Sequence, residues 1–130
     1  MKNKILFLIA ILFIGFTQSH AQWTTDTLLN TRVADQNVIQ EVTPLQATTA
    51  SGKTYISWFE SSGGSYLMKM QLLDAQGNKL WATNGLLISN QPQSSAVYRY
   101  DLKIDHENDA ILAFRDTRTG NMTTVAYKVD

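Results

Sequence analysis

The chain has 130 residues, equal numbers of acidic and basic side chains, and no cysteine. The neutral balance gives no electrostatic basis for binding nucleic acid. The absence of cysteine excludes disulfides, cysteine metal ligands and a lipid anchor on an N-terminal cysteine, so the fold must be stabilised by burial and strand pairing.

Residues 1–21 have the pattern of a secretory signal peptide. Lys2 and Lys4 make a basic start, residues 5–16 form an apolar run, and small residues precede a cleavage point after Ala21. The apolar run is shorter than the roughly 20 residues of a membrane-spanning helix. We therefore predict an exported protein, in the periplasm, at the cell surface or outside the cell, with no transmembrane segment after cleavage.

Residues 22–42 form a lead-in to the repeats that follow. Residues 22–30, with Trp23, match the later segment LWATNGLLIS around Trp81 in residue class. We predict that residues 22–30 are a lone copy of an outer strand. The polar residues 34–42 have no clear period and are predicted to be a connector.

Residues 43–96 are predicted to form a first β-repeat. The glycine pair ending at Gly64 marks a hairpin turn, and a second turn from Asp74 to Gly77 leads to Trp81, which is expected to pack on the hairpin. The predicted strands are residues 44–50, 54–60, 65–74 and 79–83, followed by a short strand at 86–89 and a polar linker at 90–95.

Residues 97–130 are predicted to form a second β-repeat that lacks the last strand of the first. Laid over the first repeat at an offset of 56 residues, from position 52 to position 108, they match it in residue class without a gap. The predicted strands are residues 98–105, 110–116 and 122–130. The structural repeat positions pair Trp58 with Phe114, Glu60 with Asp116, Gly64 with Gly120 and Asp74 with Asp130.

The pattern predicts an all-β fold of antiparallel four-stranded repeats that resemble the blades of a β-propeller. A propeller needs roughly four or more blades, and only two repeats are present. We therefore expect a longer chain with further repeats, of which this sequence is a fragment. A strand-exchanged sandwich of two units is the alternative.

The segments LDAQGNKLWATNGLLIS and YDLKIDHENDAILAFRDTRTG resemble the N-terminal repeat region of large secreted proteins of Bacteroidota. Those proteins typically carry a C-terminal sorting domain for type IX secretion. The resemblance covers residues 22–130, and it implies export and a repetitive β structure. No sorting domain is present in this sequence, and the resemblance implies no catalytic residues.

Three carboxylates lie close together in sequence, in Asp105, Glu107 and Asp109. Such a group could supply oxygen ligands to calcium. The matching turn of the first repeat, residues 49–53, has no carboxylate, so we favour a solvated hairpin turn and predict no metal site.

A possible ligand-binding rim contains Glu60, Arg115, Asp116 and Arg118. Paired arginines can clamp a carboxylate or an acidic sugar, but an ion pair between arginine and Asp116 is the interpretation that we favour. The aromatic rings at the Trp58 position of each repeat could stack on sugars; we predict instead that they fill the core.

The sequence contains no constellation that indicates an enzyme. Past the predicted signal peptide His106 is the only histidine, and no G-x-S-x-G motif is present. A pair of glycosidase carboxylates stays open. We predict a non-catalytic scaffold or binding module for an unknown protein or glycan, without a cofactor. The alternative is the non-catalytic N-terminal part of a secreted glycan-active hydrolase.

Overall fold

The computed structural model describes residues 30–36, 39–97 and 99–130, which form two antiparallel sheets. The predicted signal peptide and nearly all of the predicted strand at 22–30, including Trp23, lie outside these ranges. None of the described residues belongs to a helix that is long and apolar enough to cross a membrane.

Within each sheet, every strand pairs with the next strand along the chain, so both sheets are simple meanders. The first sheet contains β1 (Glu41–Thr48), β2 (Thr54–Ser62), β3 (Ser65–Leu73) and β4 (Leu86–Gln93), and the second contains β5 (Asp101–Ile104), β6 (Ala110–Asp116) and β7 (Thr123–Val129). The predicted all-β, antiparallel class is confirmed.

The fourth strand of the first sheet was predicted in the wrong place. Residues 79–83 contribute only an isolated bridge between Leu73 and Lys79, whereas β4 begins at Leu86 and continues through Pro92, in the predicted linker. Gln71 explains the difference, because its buried side-chain amide bonds to the backbone of Trp81 and Ala82. These side-chain bonds replace a ladder of backbone bonds over this stretch.

The first strand begins earlier than predicted, within the expected connector. Strand β1 starts at Glu41 and is interrupted by a bulge between Val42 and Leu45. Thr43, inside the bulge, has a φ of 51°, which is uncommon for a residue other than glycine. Pro44 follows it, and a proline lacks the N–H that a regular ladder would use.

One five-residue turn occurs three times among the residues that the structure describes. In each copy the first residue donates its backbone N–H to the fifth carbonyl, and the fourth donates to the first carbonyl and has a positive φ. The side chain of the first residue accepts backbone N–H bonds inside the turn. The three copies begin at Thr49, Asp74 and Asp105, so the predicted turn from Asp74 to Gly77 is confirmed.

The two sheets pack face to face and share one buried core. From β2, Tyr55 and Phe59 face the second sheet, and from β6 Leu112 and Phe114 face the first. The rings of Phe59 and Phe114 meet edge to face with centroids 6.5 Å apart. Side chains alternate along a strand, so Trp58 lies on the opposite, outer face of the first sheet.

The sheets are therefore stacked in the same sense rather than as mirror images. Phe114 is the repeat partner of Trp58, yet Phe114 is in the core between the sheets and Trp58 is on the outer face of the first sheet. The Phe114 face of the second sheet, which is buried against the first sheet, corresponds in the repeat to the Trp58 face of the first sheet, which points away from the second. The stack thus presents two different outer faces, one around Trp58 and one around Arg115.

Candidate functional site

The carboxylates of Asp105, Glu107 and Asp109 come together around the ammonium group of Lys128. Their oxygen atoms lie within 4.8 Å of one another. Lys128 Nζ is 2.8 Å from Asp105 and 3.0 Å from Asp109, and it also bonds to Glu107. A cation of the protein itself offsets part of the negative charge of the cluster and binds all three carboxylates, which favours the predicted turn over a calcium site.

The same contacts shift the ionisation of the cluster. The Lys128 ammonium and two backbone N–H groups lower the pKa of Asp105 from 3.8 to about 2. The three carboxylates raise the pKa of Lys128 well above its usual value. Both shifts favour the charged forms, as expected for opposite charges in contact, and they give the cluster a structural role.

Asp116, the last residue of β6, forms a closely bonded pair with Arg118. The Asp116 side chain is fully buried, and Arg118 donates to both of its oxygens, at 2.6 Å from Nη2 to Oδ2. Ser89 also donates to Asp116, and Arg118 donates to the hydroxyl of Tyr127. The pKa of Asp116 is lowered chiefly by Arg118.

The predicted rim residues do not form one shared surface. Glu60 is nearly buried on the outer face of the first sheet, where its Oε2 lies 3.0 Å from Lys69 Nζ. Arg115 is exposed on the outer face of the second sheet. Asp116 is buried and is paired with the exposed Arg118, so the four residues do not converge to clamp one ligand.

The aromatic repeat positions are unavailable for stacking on a sugar. Trp58 and Phe114 are each 2% exposed. Trp81 is half-buried and packs against Tyr55 with ring centroids 5.8 Å apart. Phe114 fills the core between the sheets, as predicted, whereas Trp58 is buried on the outer face of the first sheet, so the prediction that both rings lie between the sheets was wrong for Trp58.

A groove of about 240 Å³ lies at the bulge of β1, where the first sheet meets the segment that leads to β5. Its lining is apolar except for a threonine and an arginine, and Val97 in it is 83% exposed. The lining residues are Thr43, Pro44, Leu45, Val97, Arg99 and Tyr100. A shape of this kind suits a ligand that combines an apolar part with a negative charge.

The hydroxyl of Tyr100 fixes the floor of this groove. It donates to the carbonyl oxygens of Thr43, at 2.6 Å, and Ser57, at 3.0 Å, and it accepts a bond from the Ser57 hydroxyl. Burial raises the pKa of Tyr100, so it stays protonated and keeps its donor. The strained backbone at Thr43 is thereby tied to the second sheet.

A second cavity, of about 160 Å³, lies on the outer face of the first sheet and is lined by Val33, Glu41, Pro44, Ile56 and Trp58. The indole nitrogen of Trp58 is buried without a hydrogen-bond partner. Burial and the nearby Glu60 carboxylate raise the pKa of Glu41.

The residues of these two cavities were not among the sequence-predicted site residues, apart from Trp58. They come from segments that are far apart in sequence and meet only through sheet packing. Pro44 within an otherwise β-like stretch is the one local signal that could have pointed to the bulge.

Comparison of the sequence with protein-family models and with curated proteins found no match, and neither did comparison of the fold with solved structures. The geometry described above is therefore the basis for the functional conclusion.

Proposed function

We propose that this protein is a secreted or cell-surface β-repeat scaffold that binds a protein segment or a glycan and has no catalytic role. The observation that carries the proposal is the groove at the β1 bulge. Its floor is fixed by three hydrogen bonds of one tyrosine hydroxyl, which reduces the cost of ordering when a ligand binds.

The groove also has the chemistry of a binding surface. Val97 is the most exposed large apolar side chain among the described residues, and it stands beside Arg99. An apolar contact next to a guanidinium favours a ligand with an acidic group, such as an acidic peptide or a uronic acid. Strained backbone, as at Thr43, is often found at ligand sites.

The non-catalytic interpretation is supported by the contacts of the candidate reactive groups. The carboxylates of Asp105, Glu107 and Asp109 hold Lys128, and Asp116 holds Arg118. A general acid or base must have its proton within reach of a substrate, whereas these groups are engaged in structural ion pairs.

The two sheets are proposed to be propeller-like blades of an exported protein with further repeats, similar to the repeat regions of type IX secretion substrates. The stacking of both sheets in the same sense supports this proposal, since it leaves two outer faces that further blade-like units could cover, whether those units belong to the same chain or to another copy. The signal-peptide pattern at the start of the chain supports export.

The test is a binding screen with a matched pair of charge variants. The whole chain is applied to an array of neutral and uronic-acid glycans and to acidic peptides, alongside Arg99→Glu and Lys53→Glu. Binding that Arg99→Glu abolishes and Lys53→Glu preserves is the expected result. The absence of binding, or turnover of fluorogenic glycosides that Asp109→Asn abolishes, contradicts the proposal.

A further inference from the structure

The ring of Phe59 occupies a slot on the second sheet. Its centroid lies 5.1 Å from that of Tyr100 and 6.5 Å from that of Phe114, and Leu112 belongs to the same buried cluster. Insertion of this ring is one of the contacts that join the two sheets.

The first sheet has the equivalent slot on its outer face. At the repeat offset of 56 residues, Tyr100, Leu112 and Phe114 correspond to Pro44, Ile56 and Trp58. These last three residues line the 160 Å³ cavity of the outer face. The cavity is thus the counterpart of the slot that Phe59 fills between the sheets.

The residue that corresponds to Phe59 in the second repeat is Arg115. It is exposed on the outer face of the second sheet, beside the half-buried side chains of Ile111 and Ala113. The apolar neighbours suit contact with another sheet, and the arginine stem can pack on an aromatic ring. In a stack that continued in the same sense, the Arg115 face of the second sheet would meet the next sheet as the Phe59 face of the first sheet meets the second.

The charges around the cavity are complementary to an arginine. Glu41 lines the cavity, and Glu60, its direct partner across β1 and β2, stands beside it. Glu60 Oε2 is close enough to Lys69 for an ion pair but has no hydrogen bond of good geometry. An incoming guanidinium would meet the Glu41 carboxylate in the cavity lining, with the Glu60 carboxylate on the neighbouring strand.

We infer that a second copy of this chain docks head to tail, inserting its Arg115 into the cavity formed by Pro44, Ile56 and Trp58, with Glu41 and Glu60 as the acidic partners. The contact repeats the packing already present between the two sheets of one chain. It uses two different faces, so copies either close into a ring or extend into a filament.

The inference rests on the proposed scaffold function, because it names a partner for it. The two fail separately. An absence of ligand binding, or turnover of a glycoside, would contradict the scaffold proposal. A monomeric mass in solution would contradict the docking inference. Residues of the chain outside the described ranges, or another protein, are the alternative occupants of the cavity, and either would leave the chain monomeric.

The test combines light scattering with variants that each break one face. The whole chain should show a mass that rises with concentration. Arg115→Glu breaks one face and Glu41→Lys breaks the other, so each should weaken association by about 30-fold or more, as expected for one partner of a buried charge pair. Lys53→Glu makes the same charge change as Arg115→Glu at a remote turn and should associate like the unmodified chain.

Mixing the two defective variants gives the decisive result. The Arg115→Glu chain keeps an intact cavity and the Glu41→Lys chain keeps an intact Arg115, so the mixture should form a one-to-one pair that does not grow. Circular dichroism establishes that each variant is folded, and Arg115→Gln replaces Arg115→Glu if it is not. A monomeric unmodified chain, equal association of Arg115→Glu, or a mixture without pairs overturns the inference.

Discussion

Gly52 and Asn108 occupy the same position in two hairpin turns that are one repeat apart, and both have a left-handed backbone, with φ angles of 85° and 71°. Each donates its backbone N–H to the first carbonyl of its turn, on Thr49 and Asp105 respectively. The repeat therefore preserves backbone geometry where the side chains differ.

This relationship predicts different effects of alanine and glycine at position 108. Asn108→Ala should lower the free energy of unfolding by about 1 kcal/mol, because a left-handed backbone is costly for alanine. Asn108→Gly should stay within about 0.5 kcal/mol of the unmodified chain, since glycine adopts this backbone freely. Urea unfolding measures both, and an equal loss for the two variants would contradict the prediction.

The corresponding change in the first repeat should cost more. A Cβ atom on Gly52 would lie 3.2 Å from the Cβ of Ala75, in addition to the backbone strain at φ 85°. Gly52→Ala should therefore cost about 1–2 kcal/mol. A loss of stability smaller than that of Asn108→Ala would contradict this prediction.

The elements that could be predicted from the sequence are those whose own residues carry a local signal. Strands β2 and β6 were predicted at nearly their observed bounds, because β-branched and aromatic runs end at turn residues. The fourth strand was misplaced because the Gln71 side chain, distant in sequence, bonds to the backbone at Trp81. No local pattern contains such a contact.

The candidate site was harder to predict from the sequence than the strands, because tertiary packing brings its residues together. The cluster of Asp105, Glu107 and Asp109 was visible in sequence, but its partner Lys128 comes from β7 and could not be assigned from spacing. The groove at the β1 bulge joins Thr43 to Tyr100, which are 57 residues apart. Only the packing of one sheet on the other brings them together.

The acidic cluster predicts a pH-dependent effect of removing Lys128. The pKa of Asp105 in the folded chain, about 2, is below its usual 3.8, so its stabilising contribution is present above pH 3.8 and is lost as the pH falls toward 2. In Lys128→Ala three adjacent carboxylates lack their cation, and their mutual repulsion should destabilise the folded chain at neutral pH.

The measurement is the urea midpoint of both chains at pH 7 and at pH 2. The variant should be less stable than the unmodified chain at pH 7, and the difference should shrink at pH 2, where the carboxylates become protonated. Lys103→Ala is the matched control, since Lys103 is 3.5 Å from a single exposed partner, Asp101. A deficit that is equal at both pH values would contradict the electrostatic explanation.

Adding a side chain at Gly85 is expected to cause a severe steric clash beneath the Trp58 ring. A Cβ atom there would lie 2.6 Å from the carbonyl oxygen of Met70 and 2.7 Å from the Trp58 ring, at a backbone φ of 73°. Gly85→Ala should cost about 3 kcal/mol, from strain and overpacking together. Gly63→Ala, at φ 56° with nothing within 4 Å, should cost only about 1 kcal/mol. Similar losses in thermal unfolding would mean that both the Trp58 ring and the Met70 backbone move readily.

The hydroxyl of Tyr100 predicts a link between stability and the groove. Tyr100→Phe keeps the ring in its edge contact with Phe59 but removes the donor to the carbonyls of Thr43 and Ser57. Loss of this part-buried donor should cost about 1 kcal/mol, since water can reach the Thr43 carbonyl.

The same change should release the bulge at Thr43, since that hydroxyl ties it to the second sheet. Hydrogen exchange should therefore accelerate at Leu45 and its neighbours in β1 more than in β3, which does not contact Tyr100 through the hydroxyl. The matched change Tyr66→Phe removes the hydroxyl of a tyrosine on β3, which is separated from β1 by β2, and should leave exchange in β1 unaltered. Acceleration spread evenly over both sheets would instead indicate a global loss of stability, with no specific role for Tyr100 at the groove.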